Sequence, residues 1–326
     1  MSLIIAIYID DLIIVHKDLK RINKVKEVLN SKFNIKDLKK VKTLLNIKVH
    51  RLFNGSVFIN QPHYVDKLLW KYCIEGYKPA DTPIALKINP SEEEFDRELY
   101  QSLTGGLMWP SLRTRPNISF VVKYLAHWNS KPTTAHNVEQ KRVLRYLKRT
   151  KYHSILFKAN FDSKLEGFSN ANWAGDITDH KSTSSNCFTL YSGAIVWAAI
   201  NQKTIANSSV KAEYVAVALS VKEALWLSTW LREIGFDLTN ITNQMNSNRA
   251  LDLGKNAQFS QRTKHIDIRH HFIWDHLKKK NISLQYLSTD AMTADILTKP
   301  LERVKFERFR SQLGVVDLET DLEGSQ

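Results

Sequence analysis

The chain has 326 residues and is strongly basic, with 47 Lys and Arg against 33 Asp and Glu and a formal net charge of +14. A hydrophobic fraction of 43% is typical of a globular protein, and the length predicts two or three packed domains. The cysteines, Cys73 and Cys187, are too few for a disulfide scaffold or a zinc site and indicate a reducing compartment.

The sequence contains no feature that predicts membrane insertion or export. No apolar run approaches the roughly 20 residues of a membrane span. The apolar start, Leu3–Ile7, lacks a basic flank and soon meets two aspartates, so it predicts a buried strand rather than a signal peptide. An intracellular protein of the cytoplasm or nucleus is expected. The positive charge favours a nucleic acid over a membrane as partner, and a basic protein that is merely soluble is the alternative.

The first 60 residues predict two β-hairpins around one helix. The predicted elements are a hairpin over Leu3–Val15, a helix with a basic outer face over Leu19–Phe33, and a hairpin of Val41–Val49 and Val57–Asn60 across Asn54-Gly55. The first hairpin carries Asp10 and Asp11 at its tip. Adjacent carboxylates between apolar strands are costly unless a metal or water receives them. An ordinary Asp-containing turn fits the same spacing.

A predominantly helical region follows. The predicted helices begin at Gln61 and then lie near Phe95–Met108, Ile118–Trp128 and Thr134–Thr150, after a proline-rich crossing at Lys78–Pro90. The last helix carries a basic run of Lys141, Arg142, Arg145, Lys148, Arg149 and Lys151. Such a run is usually a solvated face, and phosphate contact is the functional alternative.

From Ser154 the pattern changes to alternating strands and helices. The predicted strands are Ser154–Lys158, Leu165–Ser169, Ser185–Tyr191, Ala194–Ala199, Ile241–Asn246 and Ser283–Leu287. The predicted helices are Ser208–Ile234, a turn at Arg249–Leu253, His265–Lys280 and one that Ser288 or Thr289 caps and that carries Asp295. The acidic tail after Leu313 is poor in apolar residues, so we expect it to be frayed.

Four positions of this second half can converge on one point. Asn170 and Asn246 lie at strand ends, and Glu213 and Asp295 lie near helix starts. Four acids in such an arrangement hold two divalent ions about 4 Å apart and hydrolyse a phosphodiester. Two of the four are amides here, and an amide binds Mg²⁺ more weakly because it carries no charge. Taken separately, each acid is typical of a helix surface.

These motifs together resemble the C-terminal part of the Ty1/copia-type retrotransposon Pol polyprotein. Tyr8–Leu12 is similar to the polymerase hairpin of that family. The other matching runs are Tyr100–Met108, Thr114–Ile118, Arg142–Lys148, Asn172–Asp176, Lys181–Ser184, Gln202–Thr204, Ala212–Tyr214, Lys222–Leu227, Arg262–Arg269 and Ala294–Leu301. The resemblance extends from Leu3 to about Val316. Each run alone is weak, and their order and spacing carry the assignment.

The resemblance implies an α+β fold in four segments. Residues 1–60 would be the end of a reverse transcriptase palm, 61–151 a helical thumb and connection, 152–313 a ribonuclease H-like mixed α/β domain, and 314–326 a disordered tail. Asp10 and Asp11 would be two of three polymerase carboxylates. The third lies upstream in the family, so we expect no polymerase activity from this chain alone.

For the ribonuclease H centre, the resemblance places the four family acids at Asn170, Glu213, Asn246 and Asp295. Asp10, Asp11, Glu213 and Asp295 are therefore the candidate ligands of Mg²⁺ or Mn²⁺, and we expect weak or lost binding and an inactive hydrolase. A working Mn²⁺-dependent enzyme and a non-catalytic nucleic-acid-binding protein are the alternatives. The expected partner is an RNA–DNA hybrid, and the candidate contacts are the basic run of 141–149 with Lys264, His265 and Arg269.

Further departures from the family pattern change charge or backbone freedom. The resemblance places Asp at Asn117 and Asn172, Glu at Lys211, and Gly at Lys39 and Asn46. Three of these exchanges remove negative charge, so part of the +14 is expected to reflect decay of the sequence.

Overall fold

The computed structural model describes residues 3–161, 164–175, 180–236, 241–248, 251–252, 264–279 and 281–317, and of residues 264–270 only the backbone. Within these ranges the chain forms β-hairpins and a helical layer, followed by a mixed sheet with helices. The predicted α+β class is confirmed. None of the helices in this part of the chain is long and apolar enough to cross a membrane.

The first hairpin pairs β1 (Ile4–Tyr8) with β2 (Asp11–Val15), and Tyr8 is the partner of Asp11. The two-residue turn is therefore Ile9 and Asp10, whereas the sequence suggested Asp10 and Asp11. The expected burial is also wrong, because Ile7 is 72% and Ile9 80% exposed. Among the described residues these two strands pair only with each other. Helix α1 (Leu19–Lys32) follows, capped by Asp18.

A second sheet combines distant parts of the chain. It contains β3 (Thr43–Leu44), β4 (Ile47–Arg51), β5 (Val57–Asn60), β6 (His153–Phe157) and β12 (Val315–Asp317), in the antiparallel order β12-β6-β5-β4-β3. The predicted strand 41–49 is broken by a turn at Leu45 and Asn46, which have φ of 49° and 61°. Arg51 pairs with Val57, so five residues, not two, connect β4 to β5.

This sheet corrects the prediction of a frayed tail after Leu313 for Val315–Asp317, and residues 318–326 lie outside the described part of the chain. Val315 is buried, and β12 pairs with β6, because short apolar strands gain stability from an existing sheet edge. The sheet also takes strands from residues 1–60 and from residues 152–313. The four-segment division of the chain stays a prediction.

The helical layer contains α2 (Pro62–Lys71), α3 (Arg97–Arg113), a 3-10 turn (Pro116–Ile118), α4 (Ser119–His127) and α5 (Thr134–Arg149). Their apolar faces share one core, which includes Tyr100, Leu107, Leu125 and Leu144. Thr133 and His136 form a reciprocal cap at the start of α5. The core continues to Val315 and Phe309 near the C-terminal end, so it joins the helices to the second sheet.

The mixed sheet contains β7 (Glu166–Asn172), β8 (Thr183–Leu190), β9 (Gly193–Asn201), β10 (Ile241–Met245) and β11 (Ile282–Tyr286), in the order β11-β10-β7-β8-β9. Strands β7, β8 and β9 are antiparallel, and β10 is parallel to both β7 and β11. Helix α6 (Ser209–Glu233) buries Val217 and Val221 against Phe188 and Ile241 of this sheet.

The last elements are α7 (Lys264–Lys278), a 3-10 helix (Thr293–Leu297) and α8 (Arg303–Gln312). Asp295 lies in the 3-10 helix, which Met292 precedes. The prediction of a helix capped by Ser288 or Thr289 is therefore wrong. The predicted turn at Arg249–Leu253 lies mostly outside the described residues.

Candidate functional site

Two of the four predicted positions are in direct contact. Asn170 lies within β7 rather than after its end, and its side chain is buried. Its Nδ2 donates to Oδ1 of Asp295 at 2.5 Å and to Oγ1 of Thr298 at 3.2 Å. The short bond to Asp295 fixes the orientation of the amide, because the reverse orientation would place two oxygens against each other. Asn170 therefore presents an N–H group to Asp295, not an oxygen.

Two lysines compensate the charge of Asp295, which is 0% exposed. Lys299 lies one turn further along the chain, with its Nζ 3.0 Å from Oδ2, and Nζ of Lys305 in α8 is 3.3 Å from the same oxygen. These contacts are ionic, since Oδ2 has no partner with hydrogen-bond geometry. A buried carboxylate needs such charges nearby to remain ionised.

The third position, Glu213, lies in the second turn of α6 and is 9% exposed. Its Oε2 accepts a hydrogen bond from the backbone N–H of Ala171 at 3.1 Å, so the side chain contacts the strand that carries Asn170. Burial and, to a smaller extent, the negative charge of Asp295 raise the pKa of Glu213 to about 8. Glu213 is therefore protonated and neutral at pH 7.

The fourth position, Asn246, follows the last residue of β10. Strand β10 is parallel to β7, with Met245 opposite Ser169, and Asn246 and Asn170 are the next residues on each strand. Oδ1 of Asn246 is buried without a hydrogen-bond partner, and so is Oδ1 of Asn170. Asn170 and Asp295 are thus bonded to each other, Glu213 contacts the residue after Asn170, and Asn246 follows the neighbouring strand.

The groups at this site do not fit a pair of divalent cations. Such a centre depends on carboxylate charge, whereas two of the four positions are amides and Lys299 and Lys305 together exceed the charge of Asp295. The two unpartnered amide oxygens offer neutral ligands only. Across the described residues, no group of three or more His, Cys, Asp or Glu is arranged to hold a metal ion.

Asp10 and Asp11 lie apart from these four positions in the sequence, at the turn of the first hairpin. Both side chains are exposed, and Asp11 is the first residue of β2. Their exposure removes the burial cost that the apolar strand residues suggested.

The basic run of α5 contacts the preceding connection rather than pointing freely into solvent. Arg142 donates to the carbonyl and hydroxyl oxygens of Thr82, and Lys148 donates to the carbonyls of Glu75 and Tyr77. Arg149 pairs with Asp81, and Arg145 donates to the carbonyl of Lys78. These contacts hold the segment 75–82 against α5. Phosphate contact by the same side chains stays a prediction.

The side chains of Lys264, His265 and Arg269 lie outside the described residues, although the backbone there is helical. The sequence analysis did not identify Lys299, Lys305 or Thr298 as part of the site. A carboxylate with a lysine four residues later is a recognisable helix pair, so Asp295 and Lys299 could have been found. Lys305 could not have been found from sequence spacing, because it lies in α8 and approaches Asp295 only in the folded structure.

The comparisons with known proteins concern the family of the chain. Residues 1–86 match the family "Reverse transcriptase (RNA-dependent DNA polymerase)". The chain is 33% identical over 324 residues to the "Retrovirus-related Pol polyprotein from transposon TNT 1-94" of Nicotiana tabacum, covering 96% of this chain and 24% of that protein. It is 33% identical over 314 residues to the corresponding polyprotein from transposon RE1 of Arabidopsis thaliana, covering 95% of this chain and 21% of that protein. The chain thus spans about a quarter of these curated relatives.

A solved structure supports the fold over most of the chain. The foamy viral protease-reverse transcriptase, solved in complex with dsDNA, is similar to 87% of this chain and 55% of its own, with a TM-score of 0.51 and 18% identity. At that identity the likeness concerns the fold alone.

Proposed function

This chain belongs to the Ty1/copia-type retrotransposon Pol family and matches its reverse transcriptase and ribonuclease H part, and we propose that its ribonuclease H-like centre is catalytically inactive. The observation that carries the proposal is the hydrogen bond from Nδ2 of Asn170 to Oδ1 of Asp295. In this proposal a neutral N–H group stands at the position where two-metal hydrolysis needs an anionic oxygen.

The electrostatics of the site support the same conclusion. Hydrolysis of a phosphodiester by this chemistry needs metal ions that activate water and stabilise the charge that develops on the phosphate. Two lysine ammonium groups lie within 3.3 Å of one carboxylate oxygen of Asp295. A divalent cation entering here would meet no net negative charge.

The proposed partner is nucleic acid, with an RNA–DNA hybrid as the specific ligand. The net charge of +14 supports contacts to phosphates, and the structural neighbour described above was solved with dsDNA. In this proposal the chain binds the duplex without cleaving its RNA strand.

A cleavage assay on the purified chain tests the inactivity. A labelled RNA–DNA hybrid is incubated with Mg²⁺ or Mn²⁺ and the parent chain. The matched variant is Glu213→Gln, which removes the carboxyl group that α6 contributes to the site and keeps the size of the side chain. We expect both proteins to give the same background. Cleavage by the parent that disappears in Glu213→Gln would overturn the proposal.

The second candidate function is a weak Mn²⁺-dependent ribonuclease H. The observation that favours it is the pair of buried, unpartnered amide oxygens of Asn170 and Asn246, which are possible neutral ligands. Calorimetric titration with Mn²⁺ separates the two candidates. We expect no binding by the parent chain and measurable binding by the double variant Asn170→Asp/Asn246→Asp. Binding by the parent with an affinity within tenfold of the double variant would favour the weak enzyme.

A further inference from the structure

The net charge of the chain is concentrated in one short segment. Residues 17–51 contain twelve Lys and Arg against three Asp and Glu, a net charge of +9 out of the total of +14. This segment covers α1, the connection after it and strands β3 and β4. It lies outside the candidate acid site and outside the basic run of α5.

Most of these cations are exposed and lack an anionic partner. Nine of the Lys and Arg side chains between residues 17 and 42 are exposed, and none of the nine forms an ion pair with a carboxylate of the described residues. The acids of the segment are largely engaged elsewhere. Asp18 caps α1, and Asp37 pairs with Lys26 and accepts from the backbone of Lys39.

The contrast with α5 is informative. There Arg142, Arg145 and Lys148 donate to carbonyl oxygens of the preceding connection, and Arg149 pairs with Asp81. Those donors are engaged with the protein, whereas the cations of residues 17–42 keep theirs free for an external acceptor. Lys20 and Lys24 are one helical turn apart, about 6 Å along the axis, so both can meet one extended anion.

We propose that the exposed Lys and Arg side chains of residues 17–42, here called the α1 basic surface, bind the phosphate backbone of a nucleic acid duplex. Phosphate contacts depend on charge and not on base sequence, which suits a surface of lysines without an organised pocket. An anionic membrane fits less well. An interfacial helix needs one continuous free apolar face. In α1 the stripe of Ile22, Val25 and Leu29 is half-buried, and the exposed Leu19 and Val28 lie on opposite sides of the helix.

The test compares two variants of equal charge. The surface variant carries Lys20→Gln, Lys24→Gln, Lys36→Gln and Lys40→Gln. The control variant carries Lys67→Gln, Lys87→Gln, Lys131→Gln and Lys203→Gln, four lysines that are equally exposed but lie outside the segment. Binding of each full chain to a labelled RNA–DNA hybrid is measured by fluorescence anisotropy over a range of salt concentrations, and circular dichroism and thermal melting check the folding of both.

We expect the surface variant to bind at least tenfold more weakly than the parent near 0.1 M salt. Each lost phosphate contact lowers the salt slope by about 0.9, so its slope should fall by about 2 or more. The control should stay within twofold of the parent. Equal weakening of both variants would show a diffuse charge effect and overturn the proposal. A surface variant that bound the hybrid like the parent but no longer bound phosphatidylserine vesicles would also overturn the proposal. Cleavage activity plays no part in this readout, so the inference is tested separately from the inactive centre.

Discussion

The side chain of Asn117 is a neutral acceptor beside the buried cation of Arg115. Arg115 is 2% exposed and donates to the hydroxyl and carbonyl oxygens of Thr150 and to Oδ1 of Asn117 at 3.3 Å. Nδ2 of Asn117 donates to the hydroxyl of Tyr146. The guanidinium thus has neutral acceptors throughout, and burial lowers its pKa. A buried charge without a counter-charge destabilises the folded state.

We therefore expect Asn117→Asp to stabilise the protein by about 1 to 2 kcal/mol, because a charge-assisted bond replaces a neutral one and the Tyr146 hydroxyl can donate to the new carboxylate. Urea unfolding followed by circular dichroism measures the change. Asn117→Ala is the control and should lose stability, since it removes both hydrogen bonds. A lower midpoint for Asn117→Asp than for the parent would show that desolvation of the new carboxylate dominates.

His153 predicts a loss of stability in mild acid. Its side chain is buried, and burial together with the charges of Arg115, Arg310 and Arg149 lowers its pKa to about 2, although the carboxylate of Asp317 lies 3.8 Å away. The unfolded chain takes up a proton below about pH 6.5 and the folded chain does not. The stability contribution is therefore complete above pH 6.5 and falls as the pH is lowered toward 2.

Between pH 7 and pH 5 this single group should cost the parent about 2 kcal/mol, and His153→Gln should remove that part of the slope. Unfolding free energies at several pH values give the comparison. His63→Gln, at an exposed histidine, is the matched control and should keep the slope of the parent. If His153→Gln retained the full slope, another group would be responsible for the acid sensitivity.

Helix α3 contains a proline, and a side chain of the neighbouring helix α2 replaces the backbone hydrogen bond that the proline cannot form. Pro110 lies inside α3 and cannot donate to the carbonyl of Gly106, four residues earlier. The hydroxyl of Tyr64 in α2 donates to that carbonyl at 3.0 Å. The bond links α2 to α3 at the point where the internal hydrogen bond of the helix is missing.

Tyr64→Phe should consequently destabilise the protein by about 1 kcal/mol. In the background of Pro110→Ala the same exchange should cost less, because the alanine N–H can supply the missing bond. A double-mutant cycle from urea unfolding measures this coupling. Identical costs of Tyr64→Phe in both backgrounds would exclude compensation by the hydroxyl.

The elements also show which local structure the sequence could predict. Long periodic segments such as α5 and α6 were placed within one or two residues, since their apolar stripes and caps are local signals. The turn at Leu45 and Asn46 was missed because neither residue is a glycine. The resemblance had placed Gly at Asn46 and at Lys39, and both have positive φ, 61° and 64°. An unusual backbone conformation there was therefore recoverable from the family pattern, but not from local propensity.

The candidate site was predictable in part for the same reason. Positions 170, 213 and 295 came from motif order. In the structure Asn170 donates to Asp295 and Glu213 accepts from the backbone of Ala171, whereas the lysine of α8 that faces Asp295 came from a separate element. The five cations of α5 looked alike in sequence. The position of residues 75–82 decides which of these cations contact backbone carbonyls. That position is set by the tertiary structure and has no local signal in the sequence.

The second sheet combines β3, β4 and β5 from the N-terminal part of the chain with β6 and with β12 near its C-terminal end. Strand β6 lies between β5 and β12, and the N–H of Leu156 also donates to the carbonyl of Gly314. Pairings over such sequence separations have no local signature, which is why the sequence analysis treated residues after 313 as a tail. This arrangement predicts that the stability of β4 and β5 depends on residues near position 315.

Exchanging Val315, which is buried, tests this dependence against its neighbour Val316, which is only half-buried on the same strand. Val315→Ser should cost about 2 kcal/mol or more, because it removes buried apolar surface and adds a hydroxyl without a partner. Val316→Ser should cost less than about 1 kcal/mol. In native-state hydrogen exchange, Val315→Ser should also lower the protection of β4 and β5 amides, since β6 lies between them and β12. If only the amides of β12 lost protection, the sheet would not behave as one cooperative unit.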